Sequence, residues 1–360
     1  MNAEEFLVPD DLLTTAPGVV LGAITSPEAA EQKRAELRER LAAVRFDANK
    51  RPPEPVPRLL LNGRDVCTPG NLTAIIAQTK AGKSAFVGAA VAAVIAAEQG
   101  IEDSDTLGWS AGAPAGKLLL HFDTEQSPSD HFRCIERELR RVGGGQAPEW
   151  LLSYCCTGFS MMDLKAAVWL AVQDAVQSTA GVFAVVIDGV SDLVSSVNEL
   201  QECAALVADL RELSVRADCP VICVIHDNEG RQPTGDGRGH LGKELMRKAE
   251  SNLRLKKTGD VTVAYSEKMR RAPIFEKDGP RFRWCDELRM HVSAELAKEP
   301  RLVQLAGDVF EDGGEIRANA AKCRIMDLEG CSDGTAKNRW REMVAQKIVL
   351  KTEGGKYRLS

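Results

Sequence analysis

Residues 72–84 read LTAIIAQTKAGKS. The apolar run Leu72 to Ile76 has the character of a buried strand. A short loop ends in Gly82-Lys83-Ser84, and the Ala-rich stretch that follows is helical. Strand, glycine loop and helix in this order read as a P-loop, the alternative being a chance Gly-Lys-Ser that opens a helix. The residue types follow from the chemistry. Backbone N–H groups of Gln78, Thr79, Lys80, Ala81, Gly82, Lys83, Ser84 and Ala85 converge on an anion at a helix N-terminus. Lys83 is placed to reach the β- and γ-phosphates of ATP, and the Ser84 hydroxyl to hold Mg²⁺. Ala77 stands where the motif has its first Gly. We read it as the last strand residue, where a small side chain suffices. If that backbone required positive φ, Ala would strain it and weaken nucleotide binding.

Working outward, 360 residues allow one large domain and a small one. The net charge of -6 argues against general polyanion binding. It leaves room for a local basic surface: residues 230–283 carry 14 Lys and Arg against 7 Asp and Glu. The ten cysteines include no C-x-x-C pair and read as reduced thiols. The five histidines lack metal-ligand spacing. No apolar run reaches the ~20 residues that span a bilayer. The acidic N-terminus, MNAEEFLVPDD, lacks the features of a signal peptide. We therefore expect a cytoplasmic protein without membrane contact.

Three domains are expected: an N-terminal helix and Pro-rich linker over 1–57, an α/β core over 58–298, and a small domain over 299–360. Ser26 to Arg45 has a helical pattern, and RPPEPVP (Arg51 to Pro57) is extended. In the core, KLLLHF (Lys117 to Phe122) is a strand ending in Asp123-Thr124-Glu125, and Ser127 caps the next helix. Glu125 at that strand tip suits activation of a water, with Asp123 the weaker candidate; alternatively both are helix N-terminal carboxylates. VFAVVI (Val182 to Ile187) ends in Asp188, the Walker B arrangement that binds Mg²⁺. Pro220 to Ile225 ends at His226, followed by a Gly-rich basic loop, Glu229 to Gly242. That loop suits a nucleic-acid backbone or is an ordinary surface loop. Lys268 and Arg270 follow a late strand and can complete a neighbouring subunit's site, or form a solvated turn. Glu98 to Gly116 reads as a loop, and Pro273 to Glu276 with Arg281 to Cys285 as a closing hairpin. The alternation predicts a mainly parallel, twisted sheet flanked by helices. Residues 299–360 read as three helices and a hairpin, a winged helix. Its near-balanced charge leaves DNA reading and protein docking both open.

These motifs together resemble the RecA-like P-loop ATPase core, and within it the RepA/DnaB/KaiC group of ring-forming ATPases. The resemblance rests on Gly70-Asn71-Leu72 leading into Lys80-Ala81-Gly82-Lys83-Ser84; on Asp123-Thr124-Glu125; on Ile187-Asp188-Gly189; on Ile225-His226; and on Lys268-Met269-Arg270. It implies that Glu125 is the catalytic base, Asp188 the Walker B acid and His226 the sensor. It also implies that Lys268 and Arg270 act in trans and that the loop after His226 contacts single-stranded DNA. The expected protein is an ATP- and Mg²⁺-dependent helicase of the RepA type. It would form a homo-oligomer, a hexamer, and act in replication of a plasmid, phage or mobile element. A replication partner could dock on the C-terminal domain. The alternatives are an ATP-switched regulator that binds DNA or a partner without unwinding, and a small-molecule P-loop kinase.

Overall fold

The structure is a computed structural model that describes residues 27–178, 181–227, 237–294, 300–310, 314–345, 348–352 and 354–359. The chain divides into two compact units, the first ending at Ser293 and the second running from Ala294.

The first unit is α/β. Its described strands are β1 (Leu59–Leu61), β2 (Arg64–Cys67), β3 (Leu72–Ala77), β4 (Trp109–Ala111), β5 (Leu118–Asp123), β6 (Leu151–Cys155), β7 (Val182–Asp188), β8 (Val221–His226), β9 (Ser251–Thr258), β10 (Val261–Met269), β11 (Arg281–Cys285) and β12 (Met290–Ser293). The helices are α1 (Pro27–Ala43), α2 (Lys83–Gln99), α3 (Pro128–Arg141), α4 (Met161–Ser178), α5 (Leu200–Arg216) and α6 (Gly239–Lys248). Nine strands form one sheet in the order β12-β11-β10-β9-β3-β8-β7-β5-β6. The six from β9 to β6 pair in parallel, and β10, β11 and β12 continue antiparallel.

Alternation along β3 separates two cores. Ile75 and Ala77 face the layer that contains α2, whereas Leu72, Ala74 and Ile76 face the layer of α4, α5 and α6. Both faces are covered, so β3 and β7 are buried throughout and read as unbroken apolar runs. Helix α2 is apolar all round because sheet, α3 and the β11–β12 hairpin enclose it. Phe86 is fully buried, 5.0 Å from the Trp109 ring and 5.7 Å from the Phe282 ring. Burial of such a side chain contributes about 2–3 kcal/mol.

Two expectations about the periphery are corrected. Pro273 to Glu276 is not a strand, and Arg281–Cys285 instead pairs with Met290–Ser293. Pro273 and the tight packing of Gly279 on the Ala264 carbonyl leave that segment irregular. The stretch read as a loop from Glu98 to Gly116 contains β4, which joins β1 and β2 in a small antiparallel sheet. Its three residues are too few for a periodic signal.

The second unit has helices α7 (Pro300–Val309), α8 (Ala318–Glu329) and α9 (Asp333–Ala345), and a hairpin of β13 (Val349–Lys351) and β14 (Tyr357–Leu359). Leu305, Phe310, Ile325 and Trp340 form its core. The Trp340 and Tyr357 rings meet edge-on at 5.0 Å. Among the described residues, no helix is long and apolar enough to cross a membrane.

Candidate functional site

The site lies at the C-terminal ends of the parallel strands, where an open α/β sheet positions ligands. Ala77 ends β3, level with His226 of β8 and Leu255 of β9. Its backbone is not left-handed; positive φ falls on Lys80 (63°) and Gly82 (79°). The missing first Gly therefore causes no strain at Ala77, and the strained position is Lys80. Gly82 is required for two reasons: its φ, and the Phe282 ring, which would stand 2.8 Å from any Cβ there. The Lys257 ammonium donates to the Lys80 carbonyl at 3.2 Å and holds the crest of the loop. No side chain caps the start of α2, so its first N–H groups face outward as an anion site.

Lys83 donates to both carboxylate oxygens of Glu125, each at 2.8 Å. His226 Nε2 lies 3.2 Å from Lys83 Nζ and 3.0 Å from Glu125 Oε1. Burial raises the Glu125 carboxyl, but hydrogen bonds from His226 and Lys83 outweigh it and hold the group down at about 2. Asp188 behaves in the opposite way. Burial pushes it up to about 6, against the pull of Lys83 at 3.6 Å and a bond from Ser84. Asp188 Oδ1 is buried and accepts no hydrogen bond.

That orphaned oxygen beside the Ser84 hydroxyl fits a hard divalent cation, which takes oxygen ligands and supplies the missing charge. Gln126 Nε2 approaches Ser84 Oγ at 3.4 Å on the other side. Lys83, Ser84, Glu125, His226, Trp284 and His291 all border one cavity of about 290 Å³. A larger groove of about 660 Å³ between α4 and α5, lined by Trp169, Val172 and Leu213, holds no comparable cluster.

Other residues here position the cluster. Asp123, the weaker base candidate of the sequence, is buried and committed. Its Oδ1 accepts the N–H groups of Glu125 (3.1 Å) and Gln126 (3.0 Å), and its Oδ2 pairs with His131 Nδ1 at 3.0 Å. Burial raises its carboxyl, and these bonds more than reverse that. Asp123 thus fixes the turn that presents Glu125. Thr124 Oγ1 bonds Asp192 at 2.6 Å and the Asp188 carbonyl at 3.0 Å, locking the tips of β5 and β7 together. Gly189 (φ 108°) allows this: a Cβ there would meet Thr124 Oγ1 at 1.9 Å. His291 is neutral near pH 7, because burial, with Arg141 and Lys257 nearby, lowers it to about 4.

Lys268 and Arg270 lie elsewhere. Met269 pairs with Ser251, which pairs with Thr73 near the start of β3. Four residues of strand, about 13 Å, separate that end from the P-loop end. Lys268 Nζ donates to the carbonyls of Met246 (3.1 Å) and Arg247 (3.0 Å), and Arg270 makes one long bond to Asn71 Oδ1 at 3.4 Å. Of the expected Gly-rich loop, residues 229–236 lie outside the described residues; Gly237 pairs with Asp227, and Arg238 N donates to the His226 carbonyl.

A parallel sheet, an uncapped helix start after β3, a Lys–Glu–His cluster and a buried Walker-type acid define a P-loop ATPase. The AAA domain family model matches residues 29–232, and the chain belongs to that family. Of the solved structures, the crystal structure of the RadB recombinase matches over 65% of this chain and 95% of its own, at 18% identity and a TM-score of 0.43. No curated protein matches the chain.

Proposed function

We propose that the protein is a ring-forming, ATP-hydrolysing motor of the RepA-like helicase type, a hexamer acting on single-stranded DNA in replication of a plasmid, phage or mobile element. The observation that carries this reading is the Lys83–Glu125–His226 cluster at the C-terminal ends of β3, β5 and β8, beside the uncapped start of α2. The P-loop amides and Lys83 bind the phosphates of ATP. Ser84 and Asp188 would hold Mg²⁺, which would supply positive charge against the phosphates. Glu125, ionised throughout the physiological range, orients and accepts a proton from the attacking water. For this, Lys83 exchanges its bond to Glu125 for one to phosphate, leaving the carboxylate held by His226. His226 thereby senses whether phosphate is present.

The separation of Lys268 and Arg270 from their own P-loop supports a role on a neighbouring subunit's nucleotide, where they stabilise developing charge. Arg270 carries more of that role, because Lys268 is already bonded to the end of α6. The core over 58–298 does this work; the 1–57 segment is its N-terminal attachment and 299–360 a winged helix that docks a replication partner. The test is ATP hydrolysis with and without single-stranded DNA, together with mass determination in both conditions. Stimulation and an ATP-dependent hexamer are expected; an unstimulated monomer removes the motor.

A second reading, an ATP-switched binding protein without unwinding activity, is favoured by the second unit. Two of the three cations of α9 are paired within the chain, Lys337 with Asp333 at 2.5 Å, and Arg339 with Glu329 (3.7 Å) and Glu342 (3.5 Å), while Arg341 is exposed. A helix with most of its positive charge paired suits a protein partner better than a phosphate backbone. Strand displacement with ATP separates the two readings.

A further inference from the structure

His226 and Asp227 are neighbours in sequence but face opposite sides of the sheet, because side chains alternate along a strand. His226 joins Lys83 and Glu125. Asp227 is buried on the face of α6, and its Oδ2 accepts from Arg254 Nη1 at 2.6 Å. Arg254 belongs to β9, so its side chain spans β3 to reach the extension of β8. Its Nε and Nη2 donate to the Glu267 carboxylate. Burial opposes the Arg254 charge, and Glu267 and Asp227 together hold it above its ordinary value.

Glu267 occupies a special place on β10. Ser266 pairs with Leu253 and Lys268 with Asn252, so Glu267 is the extra residue of a β-bulge. The bulge turns Glu267 and Lys268 to the same face. There Lys268 closes the end of α6 through the Met246 and Arg247 carbonyls. Hydrogen bonds join Glu125 to His226, the backbone carries the link on to Asp227, and ion pairs continue it through Arg254 to Glu267, on the strand that carries Lys268 and leads into Arg270. Apolar side chains in place of the buried Asp227 and Arg254 would lack a directional link between the two strand ends.

We propose that Arg254 is a positioning residue that couples the β8 tip to the β10 bulge, so that a change at His226 is transmitted to Lys268 and Arg270. This rests on reading Lys83, Glu125 and His226 as the nucleotide site. The test is hydrogen exchange with and without a non-hydrolysable ATP analogue. In the wild type the analogue protects residues 78–85 and also changes exchange over 266–271.

Arg254→Met alone would take the guanidinium away from the buried Asp227 carboxylate and from Glu267, so the variant is Asp227→Asn/Arg254→Met/Glu267→Gln. It keeps protection at 78–85 and loses the change at 266–271. A change that persists at 266–271 in the variant overturns the coupling, as does a wild type with none there. A wild type with no response at 78–85 fails the nucleotide-site reading itself, and the coupling with it. Slow exchange over 182–188 reports that the variant is folded; if it is not, Arg254→Lys replaces it. A single ammonium cannot hold both carboxylates in the same geometry, so the response at 266–271 weakens while that at 78–85 stays; an undiminished response overturns the proposal.

Discussion

The Lys83 ammonium lies 3.6 Å from Asp188 Oδ1, a buried carboxylate oxygen that accepts no hydrogen bond. Burial raises Asp188 to about 6 from 3.8. An acid raised on folding contributes most stability below its unfolded value and loses it as pH rises through the folded value. Its ionisation thus costs about 3 kcal/mol at pH 7.5 at most. Asp188→Asn is expected to raise the thermal midpoint at pH 7.5 without Mg²⁺ by several degrees. The gain should shrink at pH 5, and Mg²⁺-dependent nucleotide binding should be lost. A melting series at both pH values checks this; an equal shift at both would refute the buried-charge account.

Glu125→Gln keeps the shape of the side chain and removes the base. Turnover is expected to fall at least 100-fold with nucleotide affinity retained, measured by steady-state hydrolysis and binding of a fluorescent ATP analogue. Glu125 is depressed to about 2, so its stabilising contribution is lost only as pH falls from about 4.5 toward 2. An acid limb of the rate profile near pH 6 therefore does not report Glu125.

Subunit mixing tests the shared site. In the proposed ring, Arg270→Ala and Glu125→Gln are each expected to inactivate every site of a uniform assembly. Mixed rings regain interfaces that have both residues intact, so activity should recover on mixing. Absence of recovery between co-assembled subunits would place Arg270 outside the reaction.

Gly88 of α2 faces Glu138 of α3, and a Cβ on Gly88 would stand 2.6 Å from Glu138 Oε1. Burial raises the Glu138 carboxyl well above its usual range. Gly88→Ala should cost about 1–3 kcal/mol by overpacking. Glu138→Gln, close in shape to the protonated acid, should cost under about 1 kcal/mol. Chemical denaturation at pH 7 measures both; a large loss in Glu138→Gln would mean the carboxylate is ionised.

Lys80 holds left-handed backbone at φ 63°. Lys80→Gly removes that strain and should stabilise the nucleotide-free protein by about 1 kcal/mol, seen as a higher melting temperature. Any fall in nucleotide affinity in the same variant measures what the Lys80 side chain adds to binding.

Much of the core was legible because burial on both faces imposes long apolar runs. Leu72 to Ala77 and Val182 to Asp188 could be placed with their terminal residues, and Asp188 and Glu125 stand at strand tips as expected. Strand β4 was not legible, since three residues give no period. The clamp of His131 on Asp123 was hidden because its partners come from a strand tip and the following helix, and neither type is diagnostic alone. The fixed crest of the P-loop was hidden for a different reason: Lys257, Phe282 and His291 are far away in sequence.

Sequence by itself determined the strand–loop–helix unit at Leu72 to Ser84, the alternation that makes a parallel sheet, and the chemical types at each strand tip. These are local consequences of periodicity and of the residues that loops and helix starts require. Only the tertiary structure decided where the backbone strain sits, at Lys80 rather than Ala77, and which acid is held ionised and which is pushed toward neutrality. It alone set Lys268 and Arg270 at the opposite end of β3 from the P-loop. The reason is that burial, register and a β-bulge act between residues distant in the chain, and no local pattern encodes the distance between two strand ends.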